Sequence, residues 1–145
     1  MNNCMHNADW DFYNWTQTQS QLLQQKHWDK LDWQGLIEVL EDMGRAERRE
    51  LERRLEVLIL HLLKWQYQPS LRSRSWQLTI REQRLRLQML LEDSPSLKPY
   101  LSRCLAKVYR LAVIGAERET GLDKFPSECP YNLEKIMTEE FLPNN

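Results

Sequence analysis

The chain has 145 residues, 41% of them hydrophobic, and a formal net charge of −1. That size allows one domain with a real core, and that charge argues against a wholesale polyanion binder. Cys4, Cys104 and Cys129 lie far apart without a CxxC pair, which excludes a disulfide framework and a zinc site and fits a reducing cytosol.

No apolar run at the N-terminus reads as a signal peptide, and the longest aliphatic run, Val57 to Leu60, is far too short to span a membrane. Only four Gly and six Pro, against abundant Leu, Gln, Glu and Arg, favour helix throughout. Six Trp are a heavy load for this length, and most are expected to be buried.

Residues 1–8 are polar and expected to fray. Residues 9–143 read as a single all-helical domain. Asp9 is placed to cap a first helix, WDFYNWTQTQSQLLQQ, with Asp11 in its first turn and Phe12, Trp15, Leu22 and Leu23 on its apolar side. After a connector, Asp32 caps a second helix, with Leu31 and Leu36 as a hydrophobic staple. Its stripe is Leu36, Ile37, Leu40 and Met43, and Gly44 is expected to end it.

Arg45 to Arg86 then reads as two long helices folded back on each other at Gln68-Pro69-Ser70, since Pro69 cannot continue a helix. In the first, Leu51, Leu55, Leu58, Leu62 and Trp65 share one face, and Val57, Ile59, Leu60 and Leu63 extend the apolar surface most of the way round. A helix so apolar needs neighbours on several sides, which makes it the central element. In the second, Trp76, Ile80, Leu87, Leu90 and Leu91 form the inward stripe, and Leu78, Leu85 and Met89 widen it. Ser94 or Ser96 is placed to cap a further helix along Leu101, Leu105, Val108 and Ala112, which Gly121 ends. A loop held by Pro126 and Pro130 leads to a short helix, LEKIMTEEF, capped by Asn132. The expected fold is all-α: a bundle of about five substantial helices and a short C-terminal one, around a central antiparallel pair.

Charge is unevenly spread. Residues 1–44 carry −5, 45–86 carry +6, 87–115 carry +2 and 116–145 carry −4. A basic centre with acidic ends suits self-complementation, and an anionic partner is the sharper alternative.

The runs DFYNWTQTQSQLL, LIEVLEDMGRAERRELERRLEVLILHLLKWQYQP, RSRSWQLTIREQRLRLQMLLEDSPSL and FPSECPYNLEKIM together resemble the bacterial "domain of unknown function 29" family, over roughly residues 9 to 143. The combination HLLKWQYQP plus RSRSWQLTIREQR is the specific part. Ala46 departs from a pattern that more often has a capping residue there. The resemblance implies a small, cytoplasmic, all-helical protein and brings no catalytic residues with it.

Arg72 and Arg74 stand at the start of a helix, where the macrodipole disfavours cations. With Arg81 and Arg84 they form a candidate anion site. The structural alternative is internal pairing with Glu38, Glu41 and Asp42. His61, Lys64 and Gln68 share a face and, with Glu82, could form an acid–base cluster or a polar layer between helices. Arg48, Arg49, Arg53 and Arg54 interleave with Glu47, Glu50, Glu52 and Glu56 as a solvated face. Trp10, Trp15, Trp65, Tyr67 and Trp76 read as core before they read as a ligand pocket, and Cys129 reads as structural.

No glycine-rich phosphate loop, GxSxG, HExxH or paired ExxH occurs, so no cofactor, metal or catalytic residue is assigned. The favoured reading is a non-catalytic helical interaction module that self-associates or binds another protein. The alternatives are a weak nucleic-acid or other polyanion binder using the Arg72–Arg86 stripe, and an enzyme built on His61, Lys64 and Glu82.

Overall fold

The structure, a computed structural model, describes residues 11–144. It is all-α: α1 spans Phe12–Gln24, α2 Trp33–Tyr67, α3 Arg74–Asp93, α4 Lys98–Thr120 and α5 Leu133–Met137. Short 3-10 turns at Trp28–Lys30, Pro69–Leu71 and Pro95–Leu97 join them, and no strand occurs among the described residues. The chain divides into two compact units, Met1–Gly44 and Arg45–Asn145. The expected fraying of residues 1–8 lies outside the described residues, as do Cys4, His6, Asp9 and Trp10.

In the first unit α1 is capped by Asp11, whose Oδ1 accepts the Asn14 N–H at 3.0 Å. Asp32 caps α2 as expected, with Oδ1 accepting the Gly35 N–H at 3.0 Å. It also ties α1 to α2. Its Oδ2 accepts from Trp15 Nε1 at 2.9 Å, and its own N–H donates to Oε1 of the buried Gln19 at 2.9 Å. A Cβ at residue 35 would sit 2.3 Å from Asp32 Oδ2 and 2.8 Å from Trp15 Cζ2, so glycine is required there.

Gly44 does not end a helix. The second and third expected helices are one, the 35-residue α2. A helical glycine costs only about 1 kcal/mol, and the surrounding EDM and RAERRE are strong helix formers. Five helices result among the described residues, four of them substantial.

The second unit is built around the C-terminal half of α2. Leu51, Leu55, Leu58, Ile59, Leu62 and Leu63 have no exposed surface, and they cluster with Ile80 and Leu87 of α3, Val108, Tyr109, Ala112 and Ala116 of α4, and Ile136 of α5. Burying an aliphatic side chain of this size stabilises by about 1.5–3 kcal/mol, so these six residues dominate the unit. Pro69 stops α2, and α3 folds back along it under the N-cap of Ser73, placing Lys64 Nζ over the Trp76 ring.

α4 runs alongside α2 in the same direction. Glu52 meets Lys107 at 2.7 Å, and further along Lys64 meets Glu119 at 3.9 Å. Glycine at 115 permits the approach, because a Cβ there would come within 2.6 Å of Leu60 Cδ1. Gly121, at φ 73°, closes α4 as expected, with its N–H on the Glu117 carbonyl. Neither Ser94 nor Ser96 caps α4. The Pro95–Leu97 turn runs straight into it, and Pro99 in its first turn has no N–H to satisfy. Asn132 caps α5 through Oδ1 and the Lys135 N–H at 2.8 Å. That helix stops at Met137, short of the expected Phe141, because the carbonyls beyond it are held by a side chain of α3.

Several expected core residues are exposed. Leu78, Leu85 and Met89 lie on the outer face of α3, and Ile37, Leu40 and Met43 are open on α2. Trp28 and Trp33 are exposed, and Trp15, Trp65 and Trp76 only half-buried, so no described tryptophan is in the core.

Candidate functional site

The arginines of the bend divide into those the fold uses and those it leaves outside. Arg72 donates from Nε to the Trp65 carbonyl at 2.7 Å and lies 5.1 Å over the Trp65 ring. A guanidinium at the last turn of α2 meets the negative end of the helix, where a cation is favoured. Arg84 is 5% exposed and fans its donors over three backbone carbonyls: Ile136 at 2.7 Å, Glu139 at 3.0 Å and Phe141 at 2.7 Å. Burial pulls its pKa down and the nearby Glu139 opposes this. Its role in the fold is to clamp the C-terminal segment. Arg86 pairs with Glu82, one turn back, at 3.1 Å.

Arg74 and Arg81 point outward. With Gln77, Leu78 and the edge of Arg84 they line a cleft of about 360 Å³ between α3 and the C-terminal segment, and Glu139 and Glu140 form its other wall. Arg81, Arg84, Leu85 and Gln88 line its continuation toward Met137. On the opposite flank a shallower depression runs along Arg74, Leu78, Arg81 and Leu85. Three of the four candidate arginines, Arg74, Arg81 and Arg84, thus line that cleft, while Arg72 is bonded to the Trp65 carbonyl. Glu38, Glu41 and Asp42, the expected internal partners, lie on α2 within the first unit, where Glu38 accepts from Gln34 Nε2 at 3.0 Å.

The polar cluster assembles differently from its expected form. His61 Nδ1–H donates to the Val57 carbonyl at 2.8 Å, and burial, aided by Lys64, holds the imidazole below its usual pKa. Lys64 is held between Glu119 and the face of Trp76, 4.6 Å away, and Gln68 donates its backbone N–H to the Lys64 carbonyl. Glu82 stands on the outer face with Arg86, its side chain 54% exposed. Glu119 of α4 takes the place the sequence suggested for Glu82. No spacing rule could have named it, since it comes from a helix 55 residues further on.

Burial pushes the Cys104 and Cys129 thiols up, away from a reactive thiolate. No group of three or more His, Cys, Asp or Glu is placed to hold a metal among the described residues, and no helix among them is long and apolar enough to cross a membrane.

The feature missed in the sequence is the apolar line along the outside of α3. Leu78, Leu85 and Met89 are 45%, 56% and 54% exposed. At ~100° per residue they fall within an arc of ~40°, with Arg74 and Arg81 at its edge. The available signal was a 7- and 4-residue spacing parallel to, but distinct from, that of Ile80, Arg84 and Leu87.

The family model described as "Domain of unknown function DUF29" matches residues 9–142, nearly the whole chain. The chain belongs to the DUF29 family. No curated protein and no solved structure matches this DUF29 chain. As its description says, the family's function is unknown, so what supports a role for this member is the chemistry of its own outer faces.

Proposed function

We propose that this DUF29 protein is a non-catalytic helical interaction module whose docking surface is the outer face of α3, and that it takes an acidic amphipathic helix. The observation that carries the reading is the exposed line of Leu78, Leu85 and Met89, bordered by Arg74 and Arg81 on one side and by Glu82, paired with Arg86, on the other. Large apolar side chains at helical spacing supply anchors for a partner helix, and the guanidinium groups beside them select its charge.

The other readings draw less support from the geometry. A polyanion site over Arg72–Arg86 would need Arg72 and Arg84, which are bonded to backbone carbonyls, and Arg86, which pairs with Glu82. Glu139 and Glu140 on the cleft wall would repel phosphate. An acid–base centre on His61 and Lys64 would need Glu82, which faces outward.

The test is a titration with two synthetic amphipathic helices of identical leucine pattern, one bearing Glu and one Lys, with duplex DNA as a third arm. The Glu helix is expected to bind, to weaken with added salt, and to lose at least about tenfold in affinity on Leu85→Asp. Equal binding of both helices, or of neither, removes the proposal. DNA binding that falls steeply with salt would install the polyanion reading instead.

A further inference from the structure

We infer that the acidic helix received by α3 is the 33–43 stretch of α2 from a second copy of this chain. The inference rests on the docking reading above and names its occupant.

Trp33, Ile37, Leu40 and Met43 recur at steps of four and three, so they line one face of α2, and they are 57%, 47%, 66% and 61% exposed. Four large apolar side chains in line, each about half or more open to water, go beyond the scattered exposure of an ordinary surface. The surrounding residues 33–44 include Glu38, Glu41 and Asp42 and no Lys or Arg, a net charge of −3. On the outer face of α3, Arg74 and Arg81 are exposed, Arg86 is paired with Glu82 and Arg84 is turned inward, so that face carries a net charge of +2.

The two faces also match in length. Trp33 to Met43 covers ~15 Å and Leu78 to Met89 ~16 Å at ~1.5 Å per residue. Both stand on long helices already formed, α2 being fixed at its start by the Asp32 cap. Docking therefore requires little ordering of backbone.

Charge decides the pairing. Two 33–43 faces brought together would set acid against acid, and two α3 faces would set arginine against arginine. The arrangement that opposes unlike charges places the α2 face of one copy on the α3 face of another. Because the two faces differ, two copies satisfy the contact by exchanging faces reciprocally about a two-fold axis, or a chain of copies passes it head to tail.

The experiment measures the mass of the full chain by light scattering and sedimentation across concentration and salt. The wild-type chain is expected to self-associate, less so as salt rises. Leu40→Asp and Leu85→Asp, both at exposed positions, are each expected to weaken association by at least about tenfold, with unchanged helical circular dichroism. Mixing the two variants restores association, because the α2 face of the Leu85 variant and the α3 face of the Leu40 variant are both intact. A like-with-like contact would respond to only one variant and would gain nothing on mixing, which overturns the inference.

Arg81→Glu and Glu41→Arg form a second pair: each weakens association alone, and mixed they regain it. Should either leucine variant lose its helical signal, this pair decides. A chain that remains a monomer at about 100 µM, a concentration at which even weak contacts populate, overturns the inference. In that case binding of the synthetic Glu helix to α3 leaves the docking reading standing, and absence of that binding removes both.

Discussion

His61 shows how one residue can couple the central helix to pH. Burial is the main reason that its pKa lies below the ordinary value of 6.5, with Lys64 adding to it and Glu119 opposing. The unfolded chain therefore takes up a proton near pH 6.5 that the folded chain refuses. Protons then favour the unfolded state, so stability is highest above that pH and falls as pH drops through it, until the folded imidazole also titrates. Melting temperature followed from pH 7.5 to 5.5 is expected to decline, and His61→Gln should flatten most of the decline. A wild-type melting curve indifferent to pH over that interval would contradict the assignment. Glu52 acts in a separate window. Its burial raises the pKa, but bonds from Lys107 and Tyr100 outweigh this and leave it lowered, so its contribution is lost only as pH falls below about 4.5. The Glu52 effect could not be read from the sequence, because Lys107 and Tyr100 come from α4.

At the scale of elements, the glycines of α2 separate two kinds of position that look alike in sequence. Gly44 has nothing within 4 Å of where a Cβ would stand, and its backbone is helical. Gly44→Ala is expected to stabilise by about 0.5–1 kcal/mol. Gly35→Ala would push a methyl into Asp32 and Trp15 and disturb both the cap and the link to α1, costing about 1–2 kcal/mol. Urea unfolding of the two variants should move in opposite directions, and equal destabilisation would show that α2 is broken at Gly44 after all. The core half of α2 was legible, since Leu51, Leu55, Leu58 and Leu62 repeat on one face and the neighbouring positions are apolar too. The outer face of α3 was not. Leu78 and Leu85 are as apolar as Ile80 and Leu87, and which pair turns inward is decided by α2 and the C-terminal segment. In this candidate site, composition shows the arginines, but only the fold shows which of them remain outside.

Across the whole molecule, the basic middle of the chain is neutralised partly by backbone rather than by acidic side chains, and Arg84 is the clearest instance. Its three carbonyl partners lie 52 to 57 residues away, so no sequence pattern marks it as structural. The same three bonds shape the C-terminal segment, where Phe141 also meets the ring of Tyr131 and Pro143 is buried. Arg84→Ala would strand three carbonyls and open space beside Ile136, at a cost of about 2–4 kcal/mol. Removing residues 139–145 would take away two of those carbonyls together with the Phe141 contact, at a similar cost. Because both changes remove one shared set of bonds, their combined effect should fall short of the sum by about 1–2 kcal/mol. Arg74→Ala, on the same helix but outside this set, should shift the midpoint by less than about 0.5 kcal/mol. Equilibrium unfolding of the single and combined variants measures all of these. Strict additivity between Arg84→Ala and the truncation would mean that the clamp and the C-terminal segment stabilise the fold independently, which three carbonyls on one guanidinium do not allow.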